Sequence, residues 1–193
     1  MCRRNQFILM KEIQGQQFEK ALSLEEAEYE NCLFNQCDLS NQDMSGFKFI
    51  DCRFNNCNLS MTKLNKTTLQ DVDFVDCKLL GIKFETCNPF SLSFSFEGCQ
   101  LNHSSFYQLK ISKTNFINSA LIEVDFTEAN VGSANFSNCN LSGAIFDRTN
   151  LEKADFRTAA AFSIHPLNNK IKKARFASDN LMGILSSFDI IID

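Results

Sequence analysis

The chain has no tryptophan, and in 193 residues only two prolines, two histidines and seven glycines. Each scarcity narrows the field. With His103 and His165 as the only imidazoles, a zinc site has few of the convergent ligands it requires. No phosphate-binding glycine loop, no metalloprotease helix motif and no G-x-S-x-G elbow is present, which removes the familiar nucleotide-binding and hydrolytic classes. No apolar run approaches the roughly 18 residues of a membrane span. Arg3-Arg4 followed by Phe7-Ile8-Leu9-Met10 is cut short by Lys11 and Glu12, too soon for an export signal. Formal charge is −4 and no basic stripe stands out along the sequence, which argues against a conventional nucleic-acid binder.

What the chain has is phenylalanine, 20 of them, set on a period. From Ala27 to Phe156 a large apolar residue returns at every fifth position: Tyr29, Phe34, Leu39, Met44, Phe49, Phe54 and onward to Phe84, then Phe96 and onward to Phe156. A small residue is expected two positions before each, as at Cys32, Cys52, Ala129 or Ala154. A period of five fits neither a helix nor an alternating strand. Fixed short-period self-similarity predicts a solenoid.

A second period of twenty sets the cross-section. Phe34, Phe54 and Phe74 form one series with Phe96, Phe116, Phe136 and Phe156; Leu39, Leu59 and Leu79 form another with Leu101, Leu121 and Leu141. Four five-residue units per coil would stack each series into an inward column. Cys37, Cys57 and Cys77, continued by Cys99, would stand beside them as small space-fillers. Nine cysteines suggest disulfides or metal until they are placed on this repeat, where all but Cys2 face inward. Their Cβ atoms, about 4.8 Å apart on parallel vectors, suit a disulfide poorly. They are expected to be reduced, which implies a reducing cytoplasm.

Ala134-Asn135-Phe136 and Ala154-Asp155-Phe156 match the A-(D/N)-L-x-x consensus that the pentapeptide-repeat family carries, and the chain resembles that family over about two-thirds of its length. The resemblance implies an all-β fold, a right-handed quadrilateral β-helix, here with a short C-terminal helix. The extent of the clean repeat divides the chain into an N-terminal cap over 1–23, the β-helix over 24–160, and a C-terminal cap and dimerisation segment over 161–193. Phe18 and Leu22 are expected to cover the open end of the stack. At Cys87-Asn88-Pro89-Phe90-Ser91-Leu92 the repeat gains two residues, which predicts a small protrusion around proline. In the tail, Ser178 or Asp179 can cap a helix of about ten residues carrying Leu181, Met182, Ile184, Leu185 and Phe188. Ile190-Ile191-Ile192 would add a terminal strand.

For function, the scattered outward carboxylates read as a solvated surface and the thiols as structural. No enzyme and no cofactor is expected. Qnr-type quinolone-resistance members of the family interact with DNA gyrase as DNA-shaped, acidic rods. The resemblance therefore implies binding to a type II topoisomerase, DNA gyrase or topoisomerase IV, without direct nucleic-acid or membrane contact. It also implies a homodimer through Leu181, Ile184, Leu185, Phe188, Ile190 and Ile191. Between Ala21 and Ala160 the chain has 18 Asp and Glu against 11 Lys and Arg. Seven coils at about 4.8 Å span about 34 Å, where B-DNA carries about 20 charges, so the tower holds about a third of that density. The most acidic face is Glu25, Glu26, Asp43, Glu85, Asp125, Glu128 and Asp147, interrupted by Lys63, Lys66 and Lys83. The alternative is a general protein-interaction scaffold, with Val75, Leu80, Ile117 and Ile122 as its apolar patch.

Overall fold

The computed structural model describes residues 10–188 and 190. Cys2, Arg3-Arg4, the Phe7–Leu9 run, Ile191 and Ile192 lie outside them. Two parallel sheets rise along the solenoid. One runs β1 (Lys11–Gln14), β3 (Ala27–Glu30), β5 (Lys48–Ile50), β7 (Thr68–Gln70). The other runs β2 (Gln17–Glu19), β4 (Leu33–Asn35), β6 (Arg53–Asn55), β8 (Val72–Val75), β9 (Phe94–Glu97), β10 (Phe116–Ile117). Register follows the period of twenty, with Phe34 opposite Phe54 and Tyr29 opposite Phe49. The lower coils continue as single bridges, such as Asn135 to Asp155 and Asp155 to Arg175.

Most five-residue units end at a corner two residues after the column residue, where the backbone takes positive φ. Asn31, Gln36, Asn41, Asp51 and Asn56 have φ between 50° and 60°. Asn and Asp tolerate this region, but Met61 and Lys66 also occupy it, at roughly 1–2 kcal/mol each. The cost is offset by the ladder, since each corner N–H donates to the next coil: Asn31 to Ile50 O at 3.0 Å and Met61 to Leu80 O at 2.8 Å. The D/N of the consensus has a local role. Asn135 Oδ1 accepts the N–H of Ser137 at 3.0 Å and Asp155 Oδ1 that of Arg157 at 3.1 Å, an Asx turn for a donor that faces outward.

Inside, one column is an unbroken pile of phenylalanines: Phe18, Phe34, Phe54, Phe74, Phe96, Phe116, Phe136, Phe156 and Phe176. Their rings stack at 4.4 to 5.3 Å and within 16° of parallel. Nine levels at about 4.8 Å give a stack about 38 Å tall. The rings of the adjacent Phe84–Phe146 column meet these edge-on, as Phe106 meets Phe116 at 5.5 Å and 82°, an arrangement that suits aromatic quadrupoles.

The small-residue rule is only partly right. Phe47, Ile82, Phe94 and Leu109 fill the same inward position and are buried. Where the position is Cys, Ser or Asn, it often repairs a corner of the coil above. Cys57 Sγ accepts the N–H of Cys37 at 3.3 Å and donates to Phe34 O at 3.3 Å. Cys77 does the same for Cys57 N–H and Phe54 O at 3.4 and 3.3 Å. Ser104 bridges Ile82 N–H and Leu79 O, and Asn169 bridges Thr149 N–H and Phe146 O. Each inserts into a turn that its own backbone leaves open.

Both ends depart from the sequence expectation. Strands β1 and β2 already form the first coil, inside the segment read as a cap, and Phe18 stacks on Phe34 at 4.9 Å. That coil is four residues short, with Phe18 paired to Phe34. Leu22, expected to cover the end, is 79% exposed on the shortcut. The coil also continues past Ala160: Ile164 is fully buried, and Lys170 and Arg175 bridge to Asn150 and Asp155. The two-residue insertion lies between Phe74 and Phe96, which pair 22 residues apart, and leaves Phe90 79% exposed. Phe94 turns its ring inward against Phe84 and Phe96 at 5.4 and 5.2 Å.

Candidate interaction surfaces

The tower has four long faces, and the acids expected to form one stripe are mostly engaged on theirs. Glu25 pairs with Lys11. Asp43 is held below the usual carboxylate range by the Ser45 side chain and N–H, with Lys63 in register beside it contributing less. Asp125 Oδ1 accepts the N–H of Thr127 at 2.8 Å. Arg148 reaches both Glu128 at 2.8 Å and Asp147 at 3.4 Å. Glu26 is exposed. Glu85 is half-buried, its Oε2 has no hydrogen-bond partner, and burial pushes its carboxyl pKa up. Five of the seven are therefore engaged locally, with Lys63 and Lys83 standing in the same outer column between Asp43 and Asp125.

The expected apolar patch is divided. Val75 and Ile117 lie two coils apart with Glu97 between them in register. Asn102 fills the corresponding place between Leu80 and Ile122, and its Oδ1 accepts the Ile122 N–H at 3.3 Å. All four residues are half-buried. The period of twenty, not nearness in sequence, decides this: the intervening coil supplies polar residues.

Larger apolar side chains are exposed at the C-terminal end. The tail is a series of short turns, Ser178–Asn180, α1 (Met182–Leu185) and Ser186–Phe188, not one ten-residue helix. It is fixed to the last coil by Asn180, whose Nδ2 donates to Phe156 O at 2.8 Å and Ala159 O at 3.2 Å. Gly183 packs against the Phe162 ring, and its carbonyl accepts the Ile164 N–H at 2.7 Å. Any Cβ at Gly183 would collide with that ring, so glycine here sets the docking distance. Ile184 and Leu185 are half-buried. Leu181, Met182, Phe188 and Ile190 remain 40, 53, 43 and 52% exposed. Ile190 is not in a strand.

Little in the described residues resembles a reaction centre. All eight cysteines among them are free and buried, and burial raises the thiol pKa of Cys52 and Cys87 to about 12. Such thiols are poor nucleophiles. No group of three or more His, Cys, Asp or Glu side chains is placed to hold a metal ion among the described residues. His103 is exposed and pairs with Glu123 at 3.1 Å. No helix among the described residues is long and apolar enough to cross a membrane.

These features, a four-sided parallel coil with a five-residue unit and Asx-turned consensus positions, define the protein class. The sequence matches the pentapeptide repeat region family over residues 27–95 and 84–156, and the chain belongs to that family. Its fold is the right-handed quadrilateral β-helix. Among solved structures it is similar to a trypsin-treated form of QnrB1, a plasmid-mediated fluoroquinolone resistance protein. That match has 16% identity and a TM-score of 0.62, covering 95% of this chain and 98% of that one. Full-length QnrB1 matches at 16% identity and a TM-score of 0.45, over 93% of this chain and 100% of that one. HetL, a pentapeptide repeat protein involved in heterocyst differentiation regulation from the cyanobacterium Nostoc sp. strain PCC 7120, matches at 16% identity and a TM-score of 0.40. The coverage is 84% of this chain and 81% of that one. No curated protein matches the sequence.

Proposed function

We propose that this protein is a non-enzymatic rod that acts by binding another protein, and that its partner is a type II topoisomerase, DNA gyrase or topoisomerase IV. The first part is supported by the disposition of reactive groups: thiols are buried, and the carboxylates are mostly engaged in local pairs. What remains to act is the outer surface of a stiff solenoid. The second part is supported by form. A registered stack about 38 Å tall has the length of about 11 base pairs of duplex, and the fold is that of QnrB1, a fluoroquinolone resistance protein.

Charge is where the likeness to DNA ends. Lys11, Lys63 and Arg148 stand against Glu25, Asp43, Glu128 and Asp147, so the acidic face has little continuous field. Binding should therefore rest on shape and weaken only shallowly with salt. Leu181, Met182, Phe188 and Ile190 would pair two chains end to end, giving a rod about twice as long. The reduced thiols suit the cytoplasm. The test is gyrase supercoiling, with and without a quinolone, across a titration of the protein. Altered supercoiling or quinolone sensitivity supports the reading. No effect at tens of micromolar assigns the rod to a different protein partner.

A further inference from the structure

The face built on Ile111, Val131, Leu151 and Ile171 gathers six exposed lysines that are scattered in sequence: Lys110, Lys113, Lys153, Lys170, Lys172 and Lys173. We propose that this face binds the phosphate backbone of double-stranded nucleic acid. Two columns carry the amines. Lys110 and Lys170 end the run Lys110–Asn130–Asn150–Lys170. Lys113, Lys153 and Lys173 occupy one corner, each with positive φ, of 67, 61 and 62°. The rungs follow in order, Lys113 N–H to Gly132 O and Lys153 N–H to Lys172 O at 2.8 and 3.0 Å. The patch is about 10 Å wide and about 14 Å tall, from three residues across and three coil spacings along.

None of the six makes an ion pair with another described residue. Glu152, half-buried, is the one carboxylate within the patch. The flanking charges are engaged elsewhere: Asp155 by Arg157 at 2.7 Å and Arg175 at 3.5 Å, Arg148 by Glu128. Lys153 stands directly over Lys173, an arrangement that destabilises a ladder. The fold does not demand it, because Ser133 occupies the same corner one coil above Lys153.

The chemistry between the amines selects the ligand. Ser112, Gly132 and Ser133, with Asn130 and Asn150, leave a low polar floor. The patch's own residues include no aromatic to stack unpaired bases and no exposed apolar one to enter a bilayer; exposed Leu167 stands three residues before Lys170, and exposed Phe90 in the coil before Lys110. An acidic protein surface would be expected to meet arginine or aromatic anchors, which the patch lacks. A duplex presents one charge per about 1.7 Å of axis, so about 14 Å offers about eight phosphates. Six amines less Glu152 suit about five of them. The linear sequence conceals this stripe, because only the twenty-residue coil brings Lys110 and Lys113 into line with Lys170 and Lys173.

The experiment is fluorescence anisotropy of a labelled, mixed-sequence DNA duplex with the full chain, from about 50 to about 200 mM salt. A log–log salt slope of about −4 to −5 is expected. Lys113→Gln with Lys153→Gln and Lys173→Gln should weaken binding at least about tenfold at low salt and flatten the slope by about 2.7. The corresponding triple Lys→Arg variant should retain it. Lys63→Gln with Lys78→Gln and Lys83→Gln removes equal charge elsewhere and should leave affinity within about twofold. The proposal is overturned if the duplex does not bind at about 50 mM salt, or if the two glutamine triples weaken it equally. It is also overturned if polyglutamate or anionic vesicles bind as tightly as the duplex. Because the assay contains no topoisomerase, its failure is separate from failure of the protein-partner reading.

Discussion

Cys57→Ala isolates the hydrogen-bonding role of the inward thiols. The Cys57 side chain is buried between coils, accepting the Cys37 N–H and donating to Phe34 O, both at 3.3 Å. Alanine fills the same small site at Ala129, Ala134 and Ala154, so volume alone predicts a loss of about 1 kcal/mol. Removing the sulfur also takes the partner from a buried N–H and a buried C=O, a penalty of about 1–3 kcal/mol. The total expected is about 2–4 kcal/mol. Cys57→Ser should cost less than about 1 kcal/mol, because Ser104 spans the equivalent gap with 3.1 and 2.7 Å contacts. Urea unfolding of the three proteins, followed by circular dichroism, measures both differences. If alanine is tolerated as well as serine, the thiol is only a space-filler and the bridging argument is wrong.

Phe116→Ala should cost about 3–5 kcal/mol, since its fully buried ring is stacked on both sides and met edge-on by Phe106 and Phe126. Phe176→Ala, at the end of the pile and half-buried, should cost less than half as much in the same urea assay. Burial raises the pKa of Cys52 and Cys87 to about 12, against about 8.5 in an unfolded chain. Their contribution is complete below about 8.5 and lost as pH rises toward about 12. Thermal midpoints should fall across that alkaline window, and less so in a Cys52→Ala, Cys87→Ala variant compared with its own neutral midpoint. Met182→Asp with Phe188→Asp should convert a dimer to a monomer of about half the mass by sedimentation velocity. An intact chain that sediments as a monomer at tens of micromolar refutes the end-to-end pairing.

The column residues are legible in the sequence because one side chain in five must face a narrow interior, and the period of twenty alone places Phe34 through Phe156 in register. Ladder geometry then governs features that hydropathy does not report. Positive φ at Met61 and Lys113, and the bridging of Cys57, Ser104 and Asn169, depend on which backbone groups a corner leaves open. The acidic face and the apolar patch follow from the repeat's faces, but the period does not report which partner a carboxylate finds or what the intervening coil supplies. Register resolves them into local pairs at Arg148 and into two separated halves at Glu97 and Asn102. The end coils are hidden in part: the four-residue shortcut near Leu22 and the irregular spacing after Ala160 break the period, although Ala174-Arg175-Phe176 still reads as one last unit and Phe176 stacks on Phe156. In the tail, apolar spacing suggests one helix, but the chain instead docks in short turns through Gly183 against Phe162 and Asn180 on the carbonyls of Phe156 and Ala159.

The functional claim is tested most directly by quinolone-inhibited gyrase supercoiling in the presence of increasing protein, repeated at low and moderate salt. The account predicts a change in supercoiling or quinolone sensitivity at micromolar protein, shifting by less than about threefold between the two salts. A complete absence of effect at tens of micromolar contradicts a topoisomerase partner, and a steep loss with salt contradicts recognition by shape.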